Sequence, residues 1–151
     1  MAIDYGEARI GLALSDALGL LAHPLETVPG ADKPKAAARI ADLAREKNVG
    51  VVLIGLPLRM DGSEGSAVQR VRDFSALLRP RLDPGVEWVE IDERLSTVSA
   101  MAKMREAGRT ERDSRSHIDQ AAAMEILQEY LDMRPGAGLL PDEWDDEDET
   151  A

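Results

Sequence analysis

Three acids stand where carboxylates could do metal chemistry. Asp4 lies in "AIDYGEARIG", Glu93 in "DERLST" and Asp119 in "SHIDQAAAM". An ionised aspartate in a short apolar run, as Asp4 is, costs several kcal/mol unless a partner offsets its burial. Carboxylates gathered at one edge without a cation repel and raise one another's pKa values. Mg²⁺ or Mn²⁺ resolves that conflict, because hard cations take oxygen ligands and keep waters and substrate phosphates. Two such ions about 4 Å apart activate water and stabilise the leaving oxygen of a phosphodiester. Each acid also has a plainer role open to it. Asp4 could cap a hairpin turn, and Glu93 could pair with Arg94. Asp119, three residues after a Ser116 cap, could favour the helix dipole. Asp92 is an alternative to Glu93, since pattern places a strand end only to within a residue or two.

The elements that must position these acids follow from periodicity. "RIGLALSD" (9–16) alternates, with Ile10, Leu12 and Leu14 on one face, and reads as a strand. Gly6 lies in the connection before it, so the first two strands form an antiparallel hairpin. Residues 20–28 are a third strand, and Pro24 places it at an edge. The period then becomes helical, with Pro34 near a helix start and Ala36, Ala37, Ile40, Leu43 and Ala44 on one face. "VGVVLIG" (49–55) is continuously apolar, as in a strand covered on both sides. A helix at about 63–79 buries Val68, Val71, Phe74 and Leu78, and Ser66 and Gln69 have capping-box spacing. A strand follows at 86–92, then helices at about 96–107 and 116–133. This β-β-β-α-β-α-β-α-α order gives a mixed five-stranded α/β sheet with helices on both faces. Right-handed crossovers make the 49–55 and 86–92 strands parallel.

Active sites in such sheets gather beyond the carboxyl ends of the parallel strands. The Gly-rich "GLPLRMDGSEGS" (55–66) and "DERLST" both leave from that edge. Asp4 joins them if its strand lies parallel beside 49–55. Asp119 opens the final helix, whose Ala-rich face permits close approach. Arg9, Arg59, Arg94, Arg105, Arg109, Arg112 and Arg115 fall in or near turns on this edge, where phosphate contact is one role and solvated charge the other. Arg70, Arg72, Arg79 and Arg81 read as the wet face of the second helix. "AGRTERDSR" (107–115) has no apolar anchor and is expected to be a mobile clamp on nucleic acid. Aromatic residues are 3% of the chain, with Phe74 and Trp88 expected in the core. That is too few for a single-strand binder built on base stacking. His23 and His117 have no companion at metal-ligand spacing.

The 151 residues suit one domain. Zero cysteines exclude disulfides and thiolate metal sites. No apolar run reaches the roughly 20 residues a membrane span needs, and no signal peptide is read, so no membrane partner and a cytoplasmic location are expected. The net charge is −11, but "PDEWDDEDETA" holds seven acids, leaving 22 acids against 18 bases, a balance of −4. The expected organisation is a domain over 1–134 and an acidic, disordered tail over 135–151.

Four segments in order, "DYGEARIGLALSD", "GLPLRMDGSEG", "DERLSTVSA" and "IDQAAAMEILQEYL", resemble the YqgF/RuvX family across residues 1 to 133. These are candidate pre-16S rRNA nucleases related to Holliday-junction resolvases, with an RNase H-like fold. The resemblance implies metal-binding catalytic acids at Asp4, Glu93 and Asp119. It also implies Mg²⁺ or Mn²⁺ as cofactor and hydrolysis of phosphodiesters in structured RNA or branched DNA. Cutting a two-fold symmetric junction would favour a homodimer. Where relatives often carry "TKRIG", Glu7 and Ala8 remove a lysine and leave Arg9. "DYG" before an antiparallel turn also resembles the first phosphate loop of actin-like kinases, but 151 residues leave no room for that fold's second half. A non-catalytic binding module that keeps the fold is the remaining alternative.

Overall fold

The computed structural model describes residues 1–95 and 115–134, and of Leu95 and residues 115–119 the backbone alone. The expected 96–107 helix, the 107–115 clamp and the acidic tail lie outside the described residues.

The strands are β1 (Ala2–Asp4), β2 (Arg9–Ser15), β3 (Ala22–Pro29), β4 (Val51–Leu56) and β5 (Glu87–Asp92). The described helices are α1 (Lys33–Glu46), α2 (Ser66–Leu78) and α3 (Arg115–Met133), with short 3₁₀ turns at Arg79–Arg81 and Glu93–Leu95. The sheet order is β3-β2-β1-β4-β5. β1 pairs antiparallel with β2, and β2 with β3, while β1–β4 and β4–β5 are parallel. This is the mixed five-stranded, RNase H-like α/β arrangement expected from the sequence. β3, with Pro24, is at an edge as its proline requires.

Side-chain size divides the two faces. Ile3, Ile10, Leu12, Val52, Ile54 and Leu56 pack toward α1 and α2, around a fully buried Phe74. Tyr5 closes on Phe74 with ring centroids 4.9 Å apart. The opposite face carries Ala2, Ala13 and Leu53, and α3 covers it with Ala122, Ala123, Ile126, Leu127 and Leu131. Alternation along each strand sends the small residues to this side, so the helix can lie close to the sheet.

Local signals explain the helix ends, with one correction. Asp32 caps α1, accepting from the Lys35 N–H at 3.1 Å, and Pro34 occupies the first turn. The chain leaves α1 through Asn48 at φ 55°, a left-handed conformation that asparagine tolerates. The Ser66–Gln69 capping box does not form at α2. Gly65 takes the cap position with extended backbone and no side-chain bond, which leaves Ser66 inside the helix.

Arg39 reaches from α1 to the edge strand β3 and grips Glu26 with two bonds, 2.9 and 2.7 Å. That side-chain bond holds the Glu26 carboxyl below the ordinary glutamate value. A lowered carboxylate pKa stabilises the fold above the unfolded value, and the gain is lost as pH falls through the folded one. Arg39→Ala is therefore expected to move Glu26 titration upward, read by carboxyl ¹³C chemical shift. An unmoved titration would show that the pair does not persist in solution.

Candidate functional site

Strand register places one row of residues across the face that α3 covers. Asp4 pairs with Gly11 and Gly11 with Thr27, while on the other side Asp4 and Gly55 come one step after the Ile3–Ile54 pair. Cross-strand neighbours share a face, so Asp4 projects on the α3 side with a glycine on each flank. A Cβ at Gly55 would land on the Glu93 carboxylate, meeting Oε2, with Cδ 3.0 Å away. β5 thus ends at Asp92, and the 3₁₀ turn folds the Glu93 side chain back over β4 toward Asp4. Two acids 89 positions apart in sequence thus lie on one face of the sheet, on or over the neighbouring strands β1 and β4, at their carboxyl edge.

The site separates Asp92 from Glu93. Asp92 is held in a fork by Arg94, with bonds of 3.2 and 2.8 Å from its guanidinium and 2.9 Å from its backbone N–H. The Arg94 bonds keep the Asp92 carboxyl below the usual aspartate range. Glu93 does not pair with Arg94. Burial first, and the Asp92 charge second, push the Glu93 carboxyl above the ordinary glutamate value. A buried carboxylate with raised pKa beside a second acid fits a divalent cation, whose charge would favour the ionised form. The missing side chain at Gly55 leaves the room that the Glu93 carboxylate fills, on the face that bears Asp4.

α3 is registered on the same row. Gln120 Nε2 donates to Thr27 Oγ1 at 3.0 Å, at the end of the row that begins with Gly55. At the helix's far end, Gln128 accepts from the Ala22 N–H and donates to the Leu20 carbonyl, both at 2.9 Å. Asp119, one residue before Gln120, therefore has its backbone at the carboxyl edge, within the early turns of α3. Its side chain is outside the described residues, as are Arg109, Arg112 and the side chain of Arg115. Among the described residues no group of three possible metal ligands occurs. The row of Gly11, Thr27, Gly55 and Gln120 was not singled out from sequence. The one available signal was Gly55, without a side chain among the bulky apolar residues of β4.

The arginines of this edge differ in what holds them. Arg9 begins β2. Arg59 is exposed on the β4–α2 loop, its Nη1 3.5 Å from Ser63 Oγ. Arg94 is occupied: besides Asp92 it donates to the Met60 carbonyl at 3.2 Å. Elsewhere, Arg70 faces Glu7 at 3.5 Å and Arg72 bridges Glu64 and Glu90. A cavity of about 350 Å³ bordered by Ser15, Lys47, Val51 and Tyr130 lies at the opposite end of the sheet, away from the acids. No helix among the described residues is long and apolar enough to cross a membrane.

Residues 1–133 match the family described as RuvX, Holliday junction resolvase. A Streptomyces coelicolor protein named "Putative pre-16S rRNA nuclease" is 43% identical over 143 residues, covering 95% of this chain and 85% of its own length. Proteins of the same name from Cutibacterium acnes and Fusobacterium nucleatum are 44% and 38% identical over 133 and 135 residues. They cover 87% and 89% of this chain, and 81% and 96% of their own lengths.

Proposed function

The chain belongs to the RuvX family, and from that premise we propose that it is a metal-dependent endonuclease cutting phosphodiesters in structured nucleic acid, branched DNA or precursor 16S rRNA. The observation that carries the reading is the approach of Glu93 over Gly55 to the face bearing Asp4. Residues 1–134 form the nuclease domain, acting in the cytoplasm, and a homodimer would match a two-fold junction. Asp4, Glu93 and Asp119 would hold Mg²⁺ or Mn²⁺. When bound, a pair of these ions supplies an activated water and stabilises the leaving oxygen. The protein's own part is positioning. Gly55, carrying no side chain, makes room for the Glu93 carboxylate on the face that bears Asp4. The Arg94 fork neutralises Asp92, so that Glu93 is the acid left facing the site. Arg9 and Arg59, with Arg109, Arg112 and Arg115, would draw the phosphate backbone to this edge.

The test is cleavage of a labelled four-way DNA junction and a base-paired precursor rRNA fragment, each with Mg²⁺, Mn²⁺ or chelator. Cutting that requires the metal is expected. Binding without cutting in every arm would make the chain a non-catalytic module instead.

A further inference from the structure

The β4–α2 loop is cross-braced between Leu58 and Ser63 yet offers its tip to solvent. Arg59 N–H bonds the Ser63 carbonyl at 3.0 Å and Gly62 N–H the Arg59 carbonyl at 2.8 Å. Asp61 accepts from the Ser63 N–H and hydroxyl at 2.9 and 2.7 Å. Gly62 supplies the turn with φ 89°, which other residues rarely adopt. Arg94 then ties the tip down through the Met60 carbonyl. Within this rigid frame the Met60 side chain is 87% exposed, the highest value among the large apolar side chains described. Its backbone is fixed while its side chain contributes almost nothing to the core.

Single exposed apolar residues are ordinary. Two observations set this one apart. The strut that holds Met60 comes from Arg94, the residue directly after Glu93, so the tip is tied to the acid site by one side chain. Arg59 also precedes it, exposed on the same loop. The tip lies within one arginine side chain of the residue that follows Glu93, a reach of a few base steps at about 3.4 Å each. Methionine is among the residues that enter base steps as apolar wedges and unstack them.

We propose that Met60 is such a wedge: it enters a base step of the bound double helix near the scissile phosphate, and the braced loop sets where the carboxylates act. The inference rests on the nuclease reading. Loop rigidity makes the insertion point fixed, because a wedge on a slack loop would sample several steps. Arg59 holds the backbone while the methionine opens the stack.

The experiment uses the full chain and a four-way DNA junction carrying 2-aminopurine at successive positions, with Ca²⁺ replacing Mg²⁺. Wild type and Met60→Leu are expected to raise fluorescence at one step, at a fixed offset from the cut. Met60→Ala and Met60→Gln are expected to lose that rise and, with Mg²⁺, to slow junction cleavage by about tenfold. Hydrolysis of bis(p-nitrophenyl) phosphate with Mn²⁺, which involves no base step, should stay within about twofold of wild type. A fluorescence rise in Met60→Ala equal to wild type would overturn the wedge, as would no rise in wild type at any step. So would a parallel fall in bis(p-nitrophenyl) phosphate hydrolysis, which would mean a role in holding the loop. Absent metal-dependent hydrolysis in wild type would instead defeat the nuclease reading, and the fluorescence would still decide on the wedge.

Discussion

Asp4→Asn is expected to reduce metal-dependent cleavage by roughly 10³-fold in a protein that remains folded. The amide matches the carboxylate in volume but brings no negative charge to a cation. It also stands at the end of a three-residue strand whose other two residues, Ala2 and Ile3, are fully buried and carry the packing. Removing a charge on the face where Glu93 lies should ease rather than strain the metal-free fold, since burial already disfavours the ionised Glu93. Cleavage rate, Mn²⁺ titration and a thermal melt together check this. A variant that cuts at the wild-type rate would take Asp4 out of the chemistry, whereas an unfolded one would assign it a structural role.

The second large effect is expected from Gly55→Ala, a change of one methyl group. Its Cβ collides with the Glu93 carboxylate. That carboxylate is the movable end of a flexible side chain, so the fold relaxes at little cost by displacing it. Function does not relax, because a displacement of about 1 Å in a catalytic group can cost about 10²-fold in rate. Cleavage and Mn²⁺ affinity should both fall while the melting temperature barely changes. Two other glycines calibrate the result. A Cβ at Gly50 meets nothing within 4 Å, so Gly50→Ala should be silent in both assays. A Cβ at Gly30 meets backbone carbonyls of Glu7 and Gly6 at 2.8 and 2.9 Å, so Gly30→Ala should cost stability. Unchanged activity in Gly55→Ala would mean that Glu93 works from another position.

Much of this arrangement was legible in the residues. The alternation of "RIGLALS", the unbroken apolar run of β4 and the helical spacing of Ile40, Leu43, Val71 and Phe74 each gave the right element. Pro24 marked the sheet edge. What pattern could not decide depended on contacts between distant segments. Asp92 and Glu93 are adjacent, and both sit where a strand might end. Only the Arg94 fork on one and the fold-back of the other over Gly55 distinguish them. Arg94 read as a phosphate contact or a solvated charge, because its carbonyl partner, Met60, is 34 positions away. At α2, a preceding glycine with extended backbone took the cap that Ser66 seemed suited to fill. The straps from Gln120 and Gln128 were invisible because nothing in a glutamine's neighbours reveals a partner about a hundred residues earlier.

Those straps have a consequence for synthesis. The five strands, α1 and α2 are all encoded before residue 96, so they leave the ribosome while α3 is still being made. Domains begin folding from the N-terminal side during translation. Until α3 emerges, the apolar surface of Ala2, Ala13 and Leu53 has lost its main cover, and the row containing Asp4 lacks its Gln120 end. A nascent chain of this kind is open to aggregation, and the face that carries Asp4 stays uncovered until α3 docks. Asp119, the candidate acid carried by α3, is the last of the three to be made.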